Sequence, residues 1–280
     1  MSIKTTVLSE NYVIGHTGAI AEHGWSVFIE ADGKNFLFDT GQGKALLNNA
    51  RVFKKDLSAV DKIMLSHHHF DHTGGLLDAL SVTGPVDVYV HPDLFKDSYS
   101  KKNNEIIHAG IPFTRPLLEN RGAIFHLNTK WCEIAPGIHL TGEVPRKTWF
   151  EKGDKDLVVK SGGDYVHDDI QDDQSLVLET KKGLFIILGC AHAGLINIID
   201  YVIKQTGKTH IEAIIGGTHL GWVSKQQMSE TVKALKEYDI GKIGVSHCTG
   251  LNSSMILARE FGEKFFFCNV GSRHIYILKL

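Results

Sequence analysis

Apolar and polar positions alternate over Trp25–Ala31 and again over Lys34–Thr40, and the two runs flank Asp32-Gly33, a pair that favours positive φ. That pattern predicts an antiparallel hairpin near the start of the chain. A helical stretch over 43–53 follows, then an apolar strand over 62–66, a helix over 74–80 and a second apolar strand over 86–90. From about His91 to Asp173 the periodicity weakens: strands are predicted at 121–128 and 137–143, 150–169 reads as an excursion, and variable loops are expected around them. Alternation returns with strands at 175–180 and 184–190, a helix over 195–207, a strand at 211–217, a helix over 224–238 and a strand at 242–248. Two passages that each open on antiparallel strands and then interleave helices predict two related halves. Packed face to face, they form a four-layer α/β/β/α sandwich, expected as one domain over 1–280.

Composition adds mainly exclusions. The chain is 42% hydrophobic and 22% charged with a formal net charge of -2, so it offers no broad basic field for nucleic acid. No apolar run approaches the roughly 18 residues that span a bilayer, and the first residues lack the basic-then-apolar order of a secretory signal, so a cytoplasmic protein without membrane partners is expected. Cys132, Cys190, Cys248 and Cys268 are widely separated and form no C-x-x-C pair, which predicts reduced thiols. The expected partner is a small, anionic molecule at a site. Association into an oligomer stays open.

Candidate chemistry is concentrated in Ser66–Gly75, "SHHHFDHTGG", which puts four histidines and a carboxylate into six consecutive positions after a buried strand. In extended backbone, positions i and i+2 point the same way, so His67 and His69 can converge on one ion while His68 points elsewhere. Asp71 and His72 lie where the chain turns into a helix and can reach a second ion, with Asp71 also orienting a water. Imidazole and carboxylate donors suit zinc first, with manganese, magnesium or iron as alternatives, and one or two divalent ions are expected. His192 and His247 each close an apolar strand and are further candidate ligands. His219, in the same kind of position, is a candidate ligand or a donor to an anionic substrate, and Arg146 is a candidate phosphate clamp. Asp39 is the candidate acceptor that holds a ligand histidine in one tautomer. Asp172 and Asp173 could add a carboxylate, and the thiols of Cys190 and Cys248 neighbour two candidate ligands. His16, His108, His126, His139, His167, His210 and His274 are read as structural, as are His23 and His91, although these two sit at strand boundaries where lining the pocket is the alternative.

The "HHHFDH" segment resembles the H-x-H-x-D-H signature of the metallo-β-lactamase superfamily, supported by "LFDTG" before it and "VSHCTG" late in the chain. The resemblance implies the αβ/βα sandwich of that family, with His67, His69, Asp71, His72 and His247 as metal ligands. The segments "AEHGWSVFIEADGKNFLFDTG", "IIGGTHL" and "GCAHAGLINII" further resemble the subgroup that includes a dihydropterin-6-ylmethyl-(ribofuranosyl)aminobenzene 5'-phosphate synthase and proteins called metal-dependent hydrolases. The sequence departs from the common pattern in lacking a "GHTPG"-like histidine before "SLVLET" and in carrying "GCAH" where the family places a bridging aspartate. His192 is then the expected replacement. A metal-dependent hydrolase or a diphosphate-releasing transferase is implied, and an iron-based electron carrier or a metal-binding scaffold without turnover are the competing classes.

Overall fold

Asp32 and Gly33 both take positive φ, 52° and 75°, and Ala31 pairs directly with Lys34 across them. This is the two-residue turn whose twist matches that of the strands it joins. The computed structural model describes residues 2–15, 18–102 and 105–277. His16, read above as structural, lies outside the described residues.

The first half contains β1 (Ser2–Ser9), β2 (Ser26–Ala31), β3 (Lys34–Phe38), α1 (Leu46–Val52), β4 (Lys62–Met64), α2 (Phe70–Thr73), α3 (Leu76–Thr83) and β5 (Val86–Val90). The middle adds β6 (Ser98–Lys102), β7 (Glu105–His108), α4 (Arg115–Asn120), β8 (Ala123–Leu127), β9 (Cys132–Ala135), β10 (Ile138–Leu140), β11 (Leu157–Ser161) and β12 (Asp164–His167). The second half runs through β13 (Leu176–Glu179), β14 (Leu184–Ile187), α5 (Leu195–Thr206), β15 (His210–Gly217), α6 (Lys225–Leu235), β16 (Asp239–Ser246), α7 (Leu251–Phe261), β17 (Phe265–Phe267) and β18 (Arg273–Ile277).

Two seven-stranded sheets result, ordered β18-β1-β2-β3-β4-β5-β8 and β17-β16-β15-β14-β13-β10-β9. Period-2 alternation sorts their side chains into layers. Val27, Ile29, Phe36, Phe38, Phe185, Ile187, Ala213 and Ile215 fill the space between the sheets. Their neighbours Phe28, Leu37 and Ile63 turn outward under Leu46, Leu76 and Leu80, whereas Leu184, Ile186, Ile211 and Ile214 turn outward under α5 and α6 residues such as Ile198, Val202 and Val232. The order helix, sheet, sheet, helix is therefore the predicted four-layer αβ/βα sandwich, each fully buried large side chain contributing about 1.5–3 kcal/mol.

The stretch expected as loops between His91 and Asp173 differs. It builds a third, four-stranded sheet, β12-β11-β6-β7, antiparallel throughout. Every residue of β7 and β12 is exposed, so no apolar alternation marked them as strands.

α5 begins at Gly194 without a side-chain cap of its own; instead Glu151, far away in sequence, accepts the N–H groups of Ile196 (2.8 Å) and Asn197 (2.9 Å). Burial outweighs these two bonds and raises the Glu151 carboxyl to about 7. A carboxyl raised on folding contributes stability that is complete below its unfolded value and is lost as pH rises through its folded value. Unfolding titrations from pH 5 to pH 8 should therefore cost the native protein roughly 1–3 kcal/mol relative to the Glu151→Gln variant. Parallel pH profiles for the two proteins would refute this role.

Candidate metal centre

Parallel pairing places the carboxyl ends of β3 and β4 at one edge of the first sheet and those of β14, β15 and β16 at one edge of the second. The residues that follow these strands turn sharply: Asp39, Ala191, His219 and His247 all take left-handed φ, between 51° and 57°. For non-glycine residues that conformation costs about 1–2 kcal/mol each and recurs at sites whose surroundings enforce it. Gly189 is a glycine for a separate reason, because a Cβ there would lie 2.2 Å from Ser66 Oγ, where the two sheet edges touch.

Donor atoms converge in five overlapping sets among the described residues, each within 4.8 Å internally, and two of these sets contain no cysteine. One comprises His67, His69 and His192; the other His23, Asp71 and His247. His67 Nε2 lies 3.0 Å from His69 Nδ1, and Asp71 Oδ2 receives His247 Nε2 at 3.0 Å and His23 Nε2 at 3.2 Å. His72 stands between the groups, with Nδ1 2.7 Å from Asp39 Oδ2 and Nε2 3.1 Å from Cys190 Sγ. His68 points away as the period-2 argument required, its Nδ1 2.8 Å from Asp172 Oδ2.

The supporting contacts are carboxylates buried against backbone. Asp39 accepts Ser66 N–H (2.6 Å) and Ser66 Oγ–H (2.7 Å) in addition to His72. Asp172 accepts His68 N–H (2.7 Å) and Lys96 Nζ (3.0 Å), and Lys96 also donates to Asp168 (2.8 Å). Glu10 accepts the N–H of His247 (2.7 Å). Asp173 accepts Ala193 N–H (2.9 Å), which fixes the loop carrying His192.

Burial, reinforced by neighbouring imidazoles, holds His67, His69 and His192 well below the ordinary histidine value. Burial would also lower His72, but the Asp39 and Asp71 carboxylates overrule it and hold it up to about 9. Asp71 is driven the other way: burial opposes its charge, and the surrounding histidines still keep it well below the usual carboxylate range. The rings of His67, His69, His72, His192 and His219 pack with centroids 4.2–4.9 Å apart. Neither ring nitrogen of His192 has a hydrogen-bond partner among the described residues, nor does His69 Nε2. Buried, neutral, unpartnered imidazoles facing an ionised carboxylate are costly as they stand, and a divalent cation satisfies them. The donor set fits a metal.

The groups open into a cavity of about 600 Å³ lined by His69, Asp71, His192 and His247, with Lys102, Lys152, Lys155 and Trp222 toward its mouth. None of the three lysines is paired among the described residues. His219 joins this wall, its Nε2 3.4 Å from Asp154 Oδ2 and its ring tilted 51° to that of Trp222 with centroids 5.2 Å apart. Arg146, expected as a phosphate clamp, is not brought to the cavity: its guanidinium donates to the carbonyls of His192 (2.9 Å), Asp169 and Ile170 (3.1 Å), holding loops together. Asp172 is engaged by His68 and Lys96, and Asp173 Oδ2 by the Ala193 N–H, whereas Asp173 Oδ1 is buried without a partner among the described residues. His23, read as structural, instead touches Asp71; its place at the end of a loop before β2 was the available signal. All four cysteines are free. No helix among the described residues is long and apolar enough to cross a membrane.

The metallo-beta-lactamase superfamily pattern covers residues 19–189. A 7,8-dihydropterin-6-methyl-4-(beta-D-ribofuranosyl)-aminobenzene-5'-phosphate synthase of Methanocaldococcus jannaschii is 32% identical over 274 residues, 94% of this chain and 93% of that one. An uncharacterized protein of the same organism is 32% identical over 255 residues, 90% and 92% of the two chains. The crystal structure of Tm1679, described as a metal-dependent hydrolase of the beta-lactamase superfamily, superposes with a TM-score of 0.83 at 28% identity over 97% of this chain and 98% of that one. Pattern, near-full-length relative and sandwich agree, and the chain belongs to the metallo-β-lactamase superfamily.

Proposed function

We propose that the chain is a metal-dependent enzyme of group transfer or hydrolysis whose substrate is a small, pterin-like molecule bearing phosphate or diphosphate. The observation that carries this reading is one cavity lined by His69, His192, Asp71 and His247, with three lysines toward its mouth that are unpaired among the described residues. His67, His69, His72, Asp71, His192 and His247 would hold one or two divalent ions, zinc foremost, which supply Lewis-acid charge where an oxyanion or leaving group develops. Lys102, Lys152 and Lys155 place cationic ends where phosphate oxygens would enter. His219, oriented by Asp154, donates toward the same oxygens. Trp222 offers a flat face to an aromatic ring at the rim. Asp71, held ionised, accepts a hydrogen bond from the attacking group and orients it.

In the transferase form, an aromatic or amine nucleophile bonds to the carbon bearing the diphosphate, diphosphate leaves with the bonding pair, and the nucleophile's proton passes to solvent. The kinship with a synthase whose name carries a 5'-phosphate supports this form over plain hydrolysis. The test mixes zinc- or manganese-loaded protein with a dihydropterin methyl diphosphate and a ribofuranosylaminobenzene 5'-phosphate and follows diphosphate. Release that needs both substrates and stops on chelation is expected. Turnover of only simple phosphoesters or lactones would sink the transferase form.

A further inference from the structure

Between Glu151, whose side chain accepts N–H groups of α5, and Leu157, the first residue of β11, the chain runs over 152–156 as a strap along the cavity. Both ends are anchored: the Glu151 side chain is buried, and the Asp156 carbonyl accepts the Lys101 N–H at 2.7 Å. Gly153 takes a φ of 71° between them, and Asp154 meets His219, which belongs to the loop after β15. Asp154 is held by two contacts. Its Oδ1 accepts the Asp156 N–H (2.9 Å) within the strap, and its Oδ2 lies 3.4 Å from His219 Nε2, longer than the roughly 2.7–2.9 Å of a tight charge-assisted bond. His219 Nδ1 is buried without a partner, so Asp154 is the one carboxylate within ion-pair reach of that ring among the described residues. Lys152 and Lys155 flank Asp154, both exposed and both lining the same cavity.

Resting on the reading of the cavity as the site of a phosphate-bearing substrate, we propose that the Asp154 carboxylate stands in for substrate phosphate, and that a terminal phosphate displaces it to bind His219, Lys152 and Lys155. A phosphate group offers three acceptor oxygens and nearly two negative charges, which suits one imidazole N–H and two ammonium groups better than a single carboxylate does. Displaced, Asp154 loses one long contact and turns to solvent, to which its side chain is already 26% exposed. A neutral molecule entering the cavity cannot make this exchange, so the strap selects for the anion. The subsite also adjoins the metal-binding residues, the His219 and His192 ring centroids being 4.2 Å apart. That placement suits the outer phosphate of a diphosphate.

The test titrates inorganic phosphate into the full chain by phosphorus NMR, at constant ionic strength in chloride and with a chelator present so that no cation accounts for binding. Asp154→Asn keeps the shape of the side chain and removes the competing charge, and it should bind phosphate about three- to tenfold more tightly than the native chain. Asp156→Asn removes the same charge from the strap without touching the His219 contact, and it should gain little. Adding Lys152→Ala or Lys155→Ala to Asp154→Asn should reverse the gain. An Asp154→Asn chain that binds phosphate no better than the native one overturns the displacement and leaves Asp154 as a positioning group for His219. Equal gains in Asp154→Asn and Asp156→Asn overturn it in favour of net charge alone, and no binding in any of these chains overturns the subsite. None of these outcomes touches diphosphate release, whose failure beside an intact phosphate subsite would overturn the proposed reaction alone.

Discussion

His69→Ala should give a folded protein that has lost metal and turnover together. His69 Nδ1 hydrogen-bonds His67 Nε2 at 3.0 Å, and its own Nε2 is buried without a partner among the described residues, so the ring contributes one hydrogen bond to the metal-free fold and leaves one polar atom unsatisfied. Truncation leaves a small cavity and takes the partner from His67 Nε2, but it also removes the unsatisfied His69 Nε2, so the changes partly cancel. The metal-free variant should therefore unfold within about 1 kcal/mol of the metal-free native chain. Catalysis behaves differently: a cation supplies several kcal/mol of charge stabilisation, so losing it lowers turnover by about 10²–10³-fold or more. Elemental analysis, denaturant unfolding and turnover on one preparation check all three statements. Unchanged turnover in the variant would refute the site.

Asp39 should show the reverse pattern, with stability and metal falling together. Its side chain is fully buried and takes three donors, Ser66 N–H, Ser66 Oγ–H and His72 Nδ1, all at 2.6–2.7 Å. Asp39→Ala strands those donors and puts alanine at a φ of 57°, where aspartate is better tolerated. A loss of about 3–5 kcal/mol is expected, the size seen when one partner of a buried charged pair is deleted. Asp39→Asn keeps the volume and the backbone tolerance but presents an NH₂ toward His72, forcing its other tautomer; metal affinity should fall about 10–100-fold with a smaller stability loss of about 1–3 kcal/mol. Equal effects of the two substitutions on denaturant midpoint and metal affinity would rule out this division of roles.

What was legible in the sequence had local signals. Asp32-Gly33 specified its hairpin, and from β13 to β16 short apolar runs marked the buried strands between amphipathic helices. The histidine loop was legible because i and i+2 geometry alone separates His67 and His69 from His68. What stayed hidden depended on partners far apart in the chain. Glu151 capping α5, Glu10 under His247 and Asp172 under His68 join segments 45, 237 and 104 residues apart, and nothing near any of them marks it as buried. Arg146 misled because a guanidinium near a strand end suits a phosphate and a set of backbone carbonyls equally well. The third sheet was missed because its outer strands β7 and β12, exposed at every residue, carry no hydrophobic period.

That sheet shares no strand with either of the other two among the described residues, yet it supplies Ser100, Lys102 and Leu157 to the cavity wall. The segments that flank it are tied to the sandwich by Lys96 with Asp168 and Asp172 and by the Phe70 N–H to the Ala109 carbonyl. The rim of the site and its floor are thus built from separable parts. A chain arranged this way is free to drift in which molecules it admits, by exchange or insertion in one peripheral layer, while the inherited reaction beneath stays intact.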